Sequence, residues 1–369
     1  MIYLDYAATT PIDSKVLDVW VRTEQTHFAN ANSSHVLGQK AWAFLGTQLS
    51  QMAELLDVNK ESLILCSSAT EANNTILKGL ALKYPSKKHI ITSMIEHASL
   101  IGATSALEAQ GYEVDFVETN AQGLFDLDHL KSLIREDTLL VSLIAVNSET
   151  GILQPLETIA SLCRNMKVLF HSDVTQAMGK IPLKLSVLDF ASCSAHKIYG
   201  PKGIGLLYRR EELNFVPLLH GGHSLSPFRS STPQTALIAA FVKALELSLA
   251  DQADRYMKVA SLRAYLITKL SNNQRVHINS NDYALPHILN ISILNTRPEE
   301  GIQYFSKHGI CLSSKSACCG QDEYSASVYA ITKDMERAQS SYRISLSHLT
   351  TIEELDALVE AIERMPYAN

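Results

Sequence analysis

Long hydrophobic runs, paired cysteines and an excess of either charge are all missing from this chain of 369 residues. Its most apolar internal runs, such as LVSLIAV at 140–146, are far too short to cross a bilayer. Charged residues make up 19% of the chain and the formal net charge is −6, with no block of like charge. Nothing therefore announces a DNA-binding face or a membrane-surface helix. The six cysteines, Cys66, Cys163, Cys193, Cys311, Cys318 and Cys319, have neither the spacing of a secreted disulfide scaffold nor a CxxC pair for zinc. Asp5 interrupts MIYLDYAATT where an export signal needs a continuous apolar core. No repeat or low-complexity segment is present. These absences lead us to expect a soluble cytoplasmic protein with reduced thiols, no membrane association and no direct nucleic-acid contact.

What the chain does have is alternation. Short runs rich in Val, Ile and Leu end in polar residues: SLILCSS (62–68), KHIITS (88–93), YEVDFV (112–117), TLLVSLIAVN (138–147), KVLFHSD (167–173), DFASCSA (189–195) and GIGLLYRR (203–210). Most are separated by helix-length stretches such as ATEANNTILKGLALKY and LETIASLCRNM. Such a pattern predicts an α/β fold, a mostly parallel sheet covered by helices on both faces. Ligands in such sheets sit at the carboxyl ends of the strands, where the polar tails fall. From about residue 233 a long amphipathic helical stretch runs to Leu270, HILNISIL (287–294) has the character of a strand, and a last amphipathic helix closes the chain. Thr350 and Glu353 match a capping box at its start. We expect a large domain over 13–250 and a smaller α+β domain formed by 1–12 and 251–369.

The strand-end residues form a chemically coherent set: Thr70, His97, Asn147, Ser148, Asp173, Gln176, Ser194, His196 and Lys197. As metal ligands they are poor, because no two candidates have a chelating helical or hairpin spacing. They suit an aromatic, phosphorylated cofactor with a ring nitrogen. Pyridoxal 5′-phosphate (PLP) needs a lysine for an imine, an acid for the pyridinium nitrogen and donors around its phosphate. Thr70 lies where a strand turns into a helix, as its N-cap; free N–H groups and the local dipole there make Ala69 and Thr70 a phosphate cradle. GPKGIG (200–205) precedes a strand rather than opening a helix, so it is not a dinucleotide-binding loop.

DYAATTP (5–11), SSATEANN (67–74), EH (96–97), ETGILQP (149–155), HSDVTQAMGK (171–180), SAHKIYGPKGIG (194–205) and SSYRISLSHLTT (340–351) follow one another in an order and spacing that resembles the cysteine desulfurases of the class V aminotransferases. The resemblance runs from residue 3 to about 360 and implies the fold of PLP-dependent, aspartate aminotransferase-like transferases. It implies that Lys197 is the Schiff-base lysine, Asp173 the partner of the pyridinium nitrogen, Gln176 a donor to the ring oxygen and His97 the ring that stacks on the cofactor and shuttles a proton. Ser194 and His196 would join Ala69 and Thr70 at the phosphate, and Asn147 and Ser148 would be further cofactor contacts. Thr232 would reach the cofactor of a neighbouring subunit, which implies a homodimer. Arg343 would hold the carboxylate of the L-cysteine substrate. Cys318, in the polar segment 309–327 of the smaller domain, would take up sulfur as a persulfide and pass it to an acceptor, an iron–sulfur scaffold or a tRNA- or DNA-modifying sulfur enzyme. Cys319 is an additional thiol.

Several positions depart from the family pattern. Ser68, Ala195 and Lys315 stand where glycine is common, Ser148 replaces an asparagine, NANSSHVLG (30–38) has lost a proline, and the interior of HGGHSLSPFRSSTPQT (220–235) is altered. A diverged desulfurase is the reading the residues favour. Another class V activity, such as a selenocysteine lyase or an aminotransferase, and a degenerate non-catalytic subunit of a sulfur-transfer complex are the alternatives.

Overall fold

The computed structural model describes residues 1–222, 224–314 and 324–366. A short strand β1 (Ile2–Tyr3) leads into helices α1 (Ser14–Thr26) and α2 (Val36–Leu56). Alternation then begins with β2 (Leu63–Cys66), α3 (Ala69–Lys83), β3 (His89–Thr92), α4 (Ala98–Glu108), β4 (Glu113–Phe116) and α5 (Leu127–Leu133). It continues through β5 (Thr138–Ser142), α6 (Leu156–Asn165), β6 (Leu169–Asp173), β7 (Phe190–Ser194) and β8 (Gly205–Arg209). The rest of the chain forms α7 (Thr235–Ala250), α8 (Gln252–Leu270), β9 (Val276–Ile278), β10 (Ile288–Ile293), α9 (Pro298–Lys307), β11 (Ile310–Cys311), α10 (Ala326–Thr332), α11 (Met335–Gln339), β12 (Ser341–Ser345) and α12 (Ile352–Glu363).

All seven apolar runs of the sequence enter one sheet, in the order β2-β8-β7-β6-β5-β3-β4. Only β8 runs against the others, pairing antiparallel with both β2 and β7. The reason is the length of the connection: residues 195–204 carry no crossover helix, so the chain has to return beside β7 in the opposite sense. Successive strand residues point to opposite faces. Ile90, Leu140 and Leu207 pack with Ile76, Leu80 and Leu107 of α3 and α4, while their neighbours Ile91, Val141 and Leu206 pack with Leu45, Phe241 and Leu245 of α2 and α7. Burial on both faces explains why these strands are nearly uniform in hydrophobicity.

A second apolar cluster gathers Val259, Leu262 and Leu266 of α8, Leu289 and Ile291 of β10, Tyr342 and Ile344 of β12, and Leu355, Leu358 and Ile362 of α12. Its sheet has the order β12-β10-β9, antiparallel throughout. The N-terminal strand joins this side of the molecule: β1 pairs with β11, and the Ser345 N–H donates to the Leu4 carbonyl at 2.8 Å. Among the described residues no helix is long and apolar enough to cross a membrane.

Three local expectations are corrected. The helical stretch from 233 to 270 is two helices that meet at Asp251. The capping box at the last helix belongs to Thr351 and Glu354, not Thr350 and Glu353: Thr351 Oγ1 accepts from the Glu354 N–H at 3.3 Å, and Glu354 Oε2 accepts from the Thr351 N–H at 3.0 Å. Tandem threonines followed by tandem glutamates satisfy the pattern in two registers, and Thr350 instead accepts from the Ser347 N–H. Helix α3 is capped by Ser68, whose Oγ accepts from the Glu71 N–H, and Thr70 is its second residue.

Gly205, at the start of β8, is packed against backbone. A Cβ there would lie 2.6 Å from the Cys193 carbonyl oxygen and 2.8–2.9 Å from main-chain atoms of Ser68. No rotamer change relieves such contacts, so Gly205→Ala should push β8 from the Ser68 cap at a cost of about 1–3 kcal/mol. Urea unfolding at neutral pH measures it; wild-type stability in this variant would contradict the packing.

Candidate active site

The chain segments that follow β2, β3, β5, β6 and β7, together with Arg343 of β12 and the N-terminal segment, enclose a cavity of about 190 Å³. Lys197 enters it from a single turn of 3₁₀ helix directly after β7, and its Nζ donates to the carbonyls of Ala7 at 2.6 Å and Ala8 at 2.8 Å. The turn is bound to the N-terminal segment as well. Thr10 donates from its N–H and its hydroxyl to the His196 carbonyl at 2.9 and 3.0 Å, and accepts from the Tyr199 N–H at 2.8 Å. Tyr199 has φ of 65°, a conformation costly for a bulky residue. That bond, and one between its hydroxyl and Ser347 Oγ at 2.6 Å, hold it there.

Asp173 closes β6 and is 3% exposed. Its Oδ1 accepts from the Thr175 N–H and its Oδ2 from Asn73 Nδ2, both at 3.0 Å. Asn73 also donates to Ser99 Oγ at 2.9 Å and accepts from the Ser192 hydroxyl. Ser192 meets His171 Nε2, whose Nδ1 meets Ser142 Oγ at 2.8 Å. Burial holds the His171 pKa well below the ordinary imidazole value, so the ring is neutral. His97 caps α4: Nδ1 accepts from the Ser99 N–H at 3.2 Å, which places the proton of the neutral ring on Nε2. Burial lowers its pKa, outweighing the opposing charge of Asp173.

At the N-terminus of α3 the Ala69 N–H donates to Ser194 Oγ at 2.7 Å, and the Thr70 N–H has no protein partner among the described residues. His196 lies beside this turn with Nδ1 3.1 Å from Thr9 Oγ1; burial and then the neighbouring lysines bring its pKa down to about 4. A helix N-terminus, a serine hydroxyl and a neutral imidazole are suitable partners for a phosphate. Arg343, 1% exposed on β12, donates through Nη2 to Asp5 Oδ1 at 2.8 Å and through Nη1 to the Ser148 carbonyl at 3.0 Å. Gln176 donates to the Ala7 carbonyl at 2.9 Å, and its Oε1 accepts from Lys180 Nζ at 2.7 Å.

Most of the residues singled out in the sequence therefore converge: Ala69, Thr70, His97, Ser148, Asp173, Gln176, Ser194, His196, Lys197 and Arg343 all line the cavity. Asn147 does not. Its amide donates to the Ile95 carbonyl and Ser327 Oγ, and its Oδ1 accepts from Glu149 and Thr150, so it builds the turn that carries Ser148. Thr232 is exposed and lies outside the lining. Cys318, Cys319 and Lys315 lie outside the described residues. The residues on either side of that segment are tied to the site. Ser313 pairs through its backbone with Arg343, and the Ser325 hydroxyl donates to Glu149 Oε2 at 2.5 Å. Burial raises the thiols of Cys163 and Cys193 to about 12 and that of Cys66 still further, which makes all three poor nucleophiles.

Sequence reasoning missed Asp5, Asn73, Glu96, Lys180 and His171. The quoted motifs contained all five, but an acid that pairs with Arg343 across 338 residues leaves no local signal. Lys180 is the least ordinary: burial, then Lys197 and Arg343, bring its amine down to about 7. A larger cavity of about 670 Å³ lies between α2, α7 and the 224–234 loop, lined mainly by apolar side chains. It holds neither Lys197 nor Asp173, and the chemistry belongs to the smaller one.

Residues 2–358 match the aminotransferase class-V family. The chain belongs to that family. It is 38% identical over 371 residues to a protein named cysteine desulfurase IscS from Vibrio vulnificus (strain YJ016), covering 98% of this chain and 91% of that one. A mitochondrial cysteine desulfurase of Saccharomyces cerevisiae is 37% identical over 369 residues, covering 98% of this chain and 74% of the relative. Among solved structures a NifS-like protein superposes with a TM-score of 0.92 at 32% identity, covering 98% of both chains.

Glu96 supplies a test of the site's electrostatics. Its Oε1 accepts from the Ser93 hydroxyl at 2.6 Å and the Ile144 N–H at 3.0 Å, while Oε2 is buried without a partner among the described residues. Burial pushes its pKa up to about 8. The folded protein thus holds a proton that the unfolded chain releases at ordinary carboxyl values. The stability this contributes is complete below about 4.5 and is lost as pH rises through about 8. Between pH 5 and pH 8.5, wild type should lose on the order of 2–4 kcal/mol relative to Glu96→Gln in paired urea unfolding curves. A constant gap would show that Glu96 is ionised throughout.

Proposed function

We propose that the protein is a PLP-dependent cysteine desulfurase, which takes the sulfur of L-cysteine onto Cys318 as a persulfide and releases alanine. The observation that carries this reading is the convergence of an amine, a buried carboxylate, a helix N-terminus and a buried guanidinium on one cavity. The residues present fit the cofactor. Lys197 would carry it, Asp173 would face its ring nitrogen, Gln176 its ring oxygen, and Ala69, Thr70, Ser194 and His196 its phosphate. When bound, PLP supplies an electrophilic aldehyde carbon and an electron-accepting ring.

The remaining work falls to side chains of this chain. Arg343 binds the substrate carboxylate through its planar fork, leaving Asp5 to compensate its charge while the site is empty. A free lysine, with a pKa near ~10.4, is a poor base at neutral pH. Lys197 lines the cavity together with Arg343, and its amine, once released, takes the α-proton of the substrate. His97, neutral with its proton on Nε2, offers that proton to the reacting group. The Cys318 thiolate attacks the substrate sulfur, so that the new S–S bond forms as the substrate C–S bond breaks, and the three-carbon product leaves protonated as alanine. Asn147 acts by shaping the Ser148 turn rather than by touching the cofactor.

Around this centre we place a division into a larger unit over 13–250 and a smaller one formed by 1–12 and 251–369, which carries Cys318. A homodimer in which Thr232 serves the neighbouring cavity, a cytoplasmic location and a sulfur-acceptor protein complete the reading. They rest on the family's motifs, on the exposed position of Thr232 and on the named relatives.

Purified protein should show a visible absorbance band that Lys197→Ala abolishes. After incubation with L-cysteine, mass spectrometry should find one added sulfur, located on Cys318, and Cys318→Ala should lower alanine release by at least about 100-fold. Full alanine release from Cys318→Ala, or sulfur found only on another cysteine, would sink the persulfide assignment.

A further inference from the structure

At the first turn of α3 one acidic side chain stands beside the place where an anion is expected. Glu71 is the third residue of the helix, and its side chain turns back so that Oε2 accepts from the Ser67 N–H at 2.7 Å. Its own N–H donates to the Ser68 cap. A carboxylate in this position is favoured by the helix dipole, but it competes with any second anion bound at the same turn. Arg229 reaches it from the 224–232 loop and chelates it, Nε to Oε1 at 2.8 Å and Nη2 to Oε2 at 3.2 Å. The two side chains are only 18% and 11% exposed, so water screens the pair weakly. Burial alone would raise the Glu71 carboxyl, yet the bonds from Arg229 and Ser67 bring it below its usual value. Glu71 is therefore charged in the folded protein, and its charge is cancelled by one guanidinium.

We propose that Arg229 is a positioning residue for phosphate binding: by neutralising Glu71 at the first turn of α3, it allows the Ala69–Thr70 cradle to accept a dianionic phosphate. This inference rests on the reading that PLP binds with its phosphate at that turn. The Arg229–Glu71 pair also ties the loop of Arg229 to α3, and Phe228 beside it packs on Phe215 with ring centroids 4.9 Å apart. A clasp of that kind alone would hold any ligand of the cavity equally, with or without a phosphate. Electrostatic neutralisation predicts a phosphate-specific effect.

The experiment titrates the cofactor-free protein with PLP and separately with phosphate-free pyridoxal, following the visible band, in wild type, Arg229→Gln, Glu71→Gln and the double variant. Arg229→Gln should weaken PLP by about ten-fold or more, as expected for one uncompensated charge at a half-buried site, and leave pyridoxal affinity unchanged. Glu71→Gln should bind PLP at least as tightly as wild type, and the double variant should recover most of the loss. Equal weakening of both ligands by Arg229→Gln, or a double variant no better than the single, would overturn the proposal and leave a mechanical clasp. Unchanged PLP affinity in Arg229→Gln, with wild type binding normally, would overturn it too while leaving the PLP reading intact. A wild type that forms no band with either compound would remove both.

Discussion

The segment from Asp5 to Thr10 holds the site together by crossing between its two ends. Its carbonyls at Ala7 and Ala8 accept from Lys197, Thr10 binds the main chain around His196 and Tyr199, and Asp5 pairs with Arg343. Lys197 follows a strand of the large sheet, whereas Arg343 belongs to the small antiparallel one. Without this strap the amine and the guanidinium would belong to two separately packed layers. Most of the bonds use backbone atoms, so they depend on the path of the chain more than on side-chain identity. The main-chain bond from Ser345 to Leu4 anchors the strap at its other side.

Charge in the cavity is arranged around very few groups. Asp173 is fixed by Asn73 and by its own turn, His171 and His196 are neutral by burial, and Arg343 is answered by Asp5. Low dielectric makes each remaining charge count for more than it would at the surface. The acid of Glu96 is pushed towards its neutral form and the amine of Lys180 towards neutrality for the same reason, loss of solvation. Lys180 holds the Gln176 carbonyl, which directs the NH₂ of that amide toward Ala7 and the cavity wall.

Much of this was legible beforehand. Each apolar run became a strand because Val, Ile and Leu buried on both faces leave a continuous signature, and the polar residues at their ends became the cavity wall. Where the sequence repeats itself the reading failed. Ser67, Ser68 and Thr70 are all capable caps, and Thr350 and Thr351 each have a glutamate three residues on. A choice between adjacent registers depends on where the preceding strand ends, and that is set by sheet pairing. Asn147 illustrates a different failure: its residue type suits a ligand, but a side chain that accepts from two successive N–H groups is already spent on its own turn.

The sequence by itself determined the elements, their order and the chemical types gathered at the strand ends, because periodicity and turn chemistry are local properties. It also carried the amine, acid and guanidinium within its motifs. Tertiary structure alone decided which of these groups share a cavity and which partner each one has. Asp5 and Arg343 are 338 residues apart, Asn73 and Asp173 are 100 apart, and Glu71 and Arg229 are 158 apart. Pairings over such separations arise from the stacking of layers and the crossing of strands, and no window of sequence contains both partners.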